Sequence, residues 1–73
     1  MDEKELKELM ISRSEEFKSL HEEHKRHEEK LRSYESQESL SEAEKLEEKE
    51  IKKRKLALKD RMYRMMAEYR KSL

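Results

Sequence analysis

The chain has 73 residues, 19 basic and 19 acidic side chains that cancel to a net charge of zero, and a charged fraction of 52%, about twice the ordinary share. It contains no Gly, Pro, Cys or Trp, and no Val, Thr or Asn. One small domain is all this length allows. A disulfide framework, a thiolate zinc site, a cysteine nucleophile, a β-sheet and tight hairpin turns all lack their residues. Ala, Leu, Glu, Lys and Arg account for 48 residues, the signature of long helices or a coiled coil.

The first predicted element is a helix over about 3–35. Steps of four and three from Leu6 reach Met10, Arg13, Phe17, Leu20, His24, His27, Leu31 and Tyr34. Six of these nine are large and apolar, which fits an a/d seam. Arg13 and the two His interrupt it. This periodicity argues against the disorder that high charge and low hydrophobicity otherwise favour.

A Ser-rich turn follows at about 36–40. Four of the eight Ser lie at 33, 36, 39 and 41, and Ser favours caps and turns over helix interiors. Ser39 with Glu42, and Ser41 with Glu44, both have the spacing of a capping box. One unbroken helix is the alternative, because no Gly or Pro forces a turn. The break in seam register favours two helices.

The second predicted helix runs over about 41–71. Its seam is Ile51, Lys55, Leu58, Met62, Met65 and Tyr69, with Leu56, Tyr63, Met66 and Leu73 on the flanks. This stripe is broader than the first. The expected fold is all-α: an antiparallel, coiled-coil-like two-helix hairpin that self-associates into a bundle. The expected core or interface residues are Phe17, Leu20, His24, His27, Leu31, Tyr34, Ile51, Leu58, Met62, Met65 and Tyr69. Glu-to-Lys or Glu-to-Arg pairs at i,i+4 (Glu3–Lys7, Glu22–Arg26, Glu28–Arg32, Glu48–Lys52, Glu50–Arg54) add about 0.2–0.5 kcal/mol each.

The stretch from Phe17 to about Met66 resembles the YdcH-like family of short bacterial proteins. LHEEHKRHEEKLRSY carries one block of the likeness, and LSEAEKLEEKEIKKRKLALKDRM, with its core IKKRKLALKDRM, carries the other. The resemblance implies a helical hairpin. It implies no catalytic or binding residues, because the family is described as uncharacterised.

Candidate chemistry is sparse. His24 and His27, with Glu23 and Glu28 one turn away, could ligate a divalent ion, but the spacing is generic, and a register-fixing role in the seam is preferred. No nucleophile and base come together, and a two-helix chain offers no ligand-sized concavity, so neither an enzyme nor a cofactor or small-molecule substrate is expected.

Charge is unevenly spread: residues 35–50 carry a net of −5 and residues 51–73 a net of +7. Lys52, Lys53, Arg54, Lys55, Lys59, Arg61 and Arg64 form a basic run that could meet phosphates. Without a stacking platform or reading motif, nucleic acid ranks behind a homo-oligomer or a helical protein partner. The apolar runs are too short to span a bilayer. The opening MDEKELKE is unlike a secretory signal, so a cytoplasmic, non-enzymatic assembly module is the expectation.

Overall fold

The computed structural model describes residues 1–73 as three helices and no strand. Helix α1 is Glu3–Arg13, α2 is Glu15–Glu35 and α3 is Glu42–Lys71. The 30 residues of α3 measure ~45 Å and set the long dimension of a 48 × 19 × 17 Å body. No helix is long and apolar enough to cross a membrane.

The single helix expected over about 3–35 is broken at Ser14. That residue is extended, with φ −123° and ψ 114°. Its amide donates to the Met10 carbonyl at 2.8 Å, closing α1. Its hydroxyl accepts from the Phe17 amide at 3.1 Å, opening α2. Both cut ends thus find a partner in one residue, the α1 end in its backbone amide and the α2 end in its hydroxyl. Glu15 and Glu16 in the first turn of α2, and Arg13 in the last turn of α1, match the helix dipoles.

The break lets α1 fold back, so that Lys7 stands beside His21 and His24. Leu6 and Met10 then join Phe17, Leu20, Met62 and Met66 in one buried cluster. Arg13, on the expected seam, instead lies exposed and donates to the Tyr69 hydroxyl at 3.3 Å.

The Ser-rich turn falls where it is expected. Helix α2 ends at Glu35, and α3 opens on the second of the two capping boxes. Ser41 Oγ accepts from the Glu44 amide at 3.2 Å, and Glu44 Oε1 accepts from the Ser41 amide at 3.0 Å. The turn uses no left-handed residue, so a chain without Gly can make it. Partner numbers fall along α3 as they rise along α2, from Glu16–Arg61 through Glu28–Lys55 to Lys30–Glu47. The two helices are therefore antiparallel.

Replacing Ser14 by Ala is expected to destabilise the fold by about 1 kcal/mol, and Ser14→Asp to restore it. Urea unfolding followed by circular dichroism checks this. Equal stability of the Ala and Asp variants would remove the capping role.

Candidate functional site

The core is in two pieces. Leu31, Tyr34 and Ile51, with Leu40 packed against them, form a second cluster near the turn. The larger cluster also carries Ile11, Leu58, Met65 and Tyr69 at its edge. All the apolar residues expected at the seam are thus buried or half-buried. Leu6 and Met10, on the expected seam but outside the shorter list of core candidates, are buried, and Met66 is the one core member off the seam. Met66, expected on an uncovered flank, is buried because α1 covers it. Leu56 and Tyr63 stay on the flank, 67% and 44% exposed.

His24 and His27 lie on α2 between the two clusters, with side chains only 16% and 17% exposed. The Nε2 atom of each is buried without a hydrogen-bond partner. His24 Nδ1 is 3.9 Å from Glu28 Oε1, and His27 Nε2 is 3.7 Å from Glu23 Oε1, both beyond hydrogen-bond reach. No three His, Asp or Glu side chains converge as a metal ion requires.

Burial pulls the His24 imidazole below its ordinary 6.5; Glu28 opposes this, and Lys55, Lys59 and Lys7 add to it. The unfolded chain therefore binds more protons near pH 6. The contribution of His24 to stability is complete above 6.5 and is lost as pH falls through its lowered folded value. Replacing His24 and His27 together by Leu is expected to stabilise the protein by about 1–3 kcal/mol, because buried unpaired polar atoms are removed. It should also flatten stability between about pH 5 and pH 7. Denaturant midpoints across that range test both parts. An unchanged slope in the double variant would place the titration elsewhere.

A second polar group closes the turn end. The Tyr34 hydroxyl donates to Glu47 Oε2 at 2.5 Å, and Lys30 Nζ sits 2.7 Å from Glu47 Oε1. The Lys30 and Tyr34 hydrogen bonds hold the Glu47 carboxyl below its usual range, and the same carboxylate pushes the Tyr34 phenol up. This clasp ties α2 to the first turns of α3. It fixes register and presents no free base.

The expected basic face does not assemble as one surface, because successive helical residues are turned ~100° apart. Arg61 reaches Glu16 on α2 at 2.5 Å and Lys55 reaches Glu28 at 3.5 Å. Lys52 pairs with Glu48 at 3.1 Å, and Arg64 pairs with Asp60. Lys59 lies over the Tyr63 ring, 5.8 Å from its centroid. Of the expected i,i+4 pairs, Glu48–Lys52 forms, while Glu28 turns to Lys55 instead of Arg32.

The expectation that no ligand-sized concavity exists is corrected. Where α1 folds back, all three helices line a cavity of ≈320 Å³, within the size range of small-ligand sites. A second hollow of ≈400 Å³, against Leu20, Arg54, Leu58 and Arg61, is lined by α2 and α3 alone.

A family model described as a protein of unknown function (DUF465) matches residues 17–66. No curated protein and no solved structure matches the chain. The matched stretch begins at buried Phe17, takes in the His layer and the turn, and ends at buried Met66. The chain belongs to this family, as its resemblance to the YdcH-like proteins implies.

Proposed function

We propose that the protein is a non-enzymatic helical assembly module, and that its partner is a second copy docked antiparallel along α3. The observation that carries this reading is the make-up of the outer face of α3. Leu56 stands at the midpoint of Glu42–Lys71 and is 67% exposed. Tyr63 lies two turns on along the same face, and Leu46 and Leu73 are exposed towards the two ends. Leu56 and Tyr63, exposed and two turns apart on one face, mark an interaction surface.

The charges of α3 are sorted by end. Residues 42–50 hold five Glu and two Lys, whereas residues 63–71 hold Arg64, Arg70 and Lys71 against Glu68. A two-fold pairing about Leu56 sets the acidic end of each copy against the basic end of the other, which is the self-complementarity an isologous dimer needs. The central basic residues repel less than their number implies, since Lys52, Lys55 and Arg61 are already paired within the chain. A body only 17–19 Å across gains covered apolar area by associating.

Sedimentation and native mass measurement test this. The wild type is expected to dimerise, less tightly at high salt. The Leu56→Glu, Tyr63→Glu double variant is expected to be monomeric with its helix content unchanged, because both side chains are exposed. A wild type that stays monomeric at all concentrations overturns the reading.

A second reading, association with nucleic acid, is favoured by Lys53 and Arg54. Both are exposed and neither has a carboxylate within ion-pair distance. Its mark is duplex binding that falls steeply with salt and is lost when Lys53 and Arg54 are replaced by Gln.

A further inference from the structure

The cavity between the three helices has an unusual charge balance. Lys7 of α1, His21, His24, Lys25 and Glu28 of α2, and Lys59 of α3 are its polar lining. Its floor is apolar: Met62 and Met66 are buried, with Tyr63 at the rim.

Of the 19 Lys and Arg side chains, six are answered by a carboxylate. Lys30, Lys45, Lys52, Lys55, Arg61 and Arg64 each have one within 4.0 Å. Lys7, Lys25 and Lys59 do not, and these three converge on the cavity. The one carboxylate there, Glu28, is held 3.5 Å from Lys55 outside the lining and 3.9 Å from His24 Nδ1. Lys7 and Lys59 also depress the protonation of His24, so their field reaches the interior as well as the rim. Like charges gathered without counter-charge repel, and a bound anion relieves that repulsion.

We propose that this cavity binds a small, multiply charged oxyanion of the phosphate type, as a free ligand, held at its open side among Lys7, Lys25 and Lys59. The site adjoins the proposed dimer face at Tyr63, which belongs to both. It exists only while α1 is docked, so ligand binding and α1 docking are coupled. A free ligand is favoured over a lipid headgroup because the groups surround a hollow between helices instead of lining a flat face.

The groups that face the site set its pH response. His24, its imidazole held below the ordinary range, gains positive charge as pH falls, and it is faced by Lys7 of α1, by His21, Lys25 and Glu28 of α2, and by Lys55, Lys59 and Tyr63 of α3.

The test is a titration of the full chain with pyrophosphate, read by the His side-chain resonances, with sodium chloride at matched ionic strength as the control. Saturable shifts of His21 and His24, absent in chloride, are expected. The melting temperature should rise with pyrophosphate concentration. Lys59→Gln and Lys7→Gln should each weaken binding about tenfold. Lys53→Gln, on α3 but outside the lining, should leave it unchanged, and Glu28→Gln should tighten it. Circular dichroism confirms that each variant is folded. Shifts that do not saturate, that chloride reproduces, or that Lys53→Gln weakens as much as Lys59→Gln overturn the site. Binding to phosphatidic acid vesicles with no response to free pyrophosphate overturns the free-ligand assignment.

Discussion

Phe17→Ala is expected to remove about 3–5 kcal/mol from the stability of the fold. Phe17 is 0% exposed and packs in the cluster of Leu6, Met10, Leu20, Met62 and Met66, which draws on all three helices. Removing a buried Phe costs about 3–5 kcal/mol, through lost transfer energy and the cavity left behind. A chain of this size has only about 4–11 kcal/mol in total. The position offers little chance of collapse, because it sits one turn inside α2, just after the Ser14 cap. Urea unfolding followed at 222 nm reads the loss. Phe17→Leu, which keeps most of the volume, should cost about 1–1.5 kcal/mol. An Ala variant within 1 kcal/mol of the wild type would show that this cluster is not the centre of the fold.

Leu6→Asp is expected to release α1 from the other two helices. Leu6 is also 0% exposed, and an unpaired buried charge costs roughly 3–5 kcal/mol. The chain has a cheaper option than burying it, which is to open at Ser14 and leave α2 and α3 paired. Spin labels at Lys4 and Lys25 should report a short, narrow distance in the wild type and a long, broad one in the variant. Met62 and Met66 lose their cover, so the dye that binds exposed apolar surface should light up. Lys18→Asp is the control, since a new acid at an exposed site of α2 should stay within about 0.5 kcal/mol. An unchanged label distance in the Leu6 variant would mean that α1 is held by something other than its apolar face.

The long-range pattern of the fold was legible because apolar spacing survives a break in the helix. Leu6, Met10, Phe17 and Leu20 keep four- and three-residue steps through Ser14, so the seam identifies core residues correctly while misplacing the elbow. Two signals mark that elbow. Arg13 is a charged residue on an apolar seam, and Ser14 is followed by two Glu, as an N-cap is. Neither outweighs continuous periodicity, since Arg and Ser also occur inside helices. The turn at 36–41 was legible for the opposite reason: the Ser41–Glu44 box coincides with a change of seam register. The cavity was not legible, because it follows from α1 lying beside His21 and His24. Lys7 and Lys59 are 52 positions apart in sequence, and no spacing rule joins them.

The two apolar clusters have a kinetic consequence. Between Leu20 and Leu31 the α2 seam holds only His24 and His27, so little apolar surface couples one end of the molecule to the other. Such a body opens in sections of unequal free energy. The turn end, with three buried side chains and the Tyr34–Glu47 clasp, has the smaller opening energy, and the six-residue cluster has the larger. Amide hydrogens of Leu31 to Glu35 and Glu47 to Ile51 will therefore exchange with solvent well before those around Leu20 and Met62. The Ser-rich turn, carried on the easily opened section, is the place where a protease reaches the chain first.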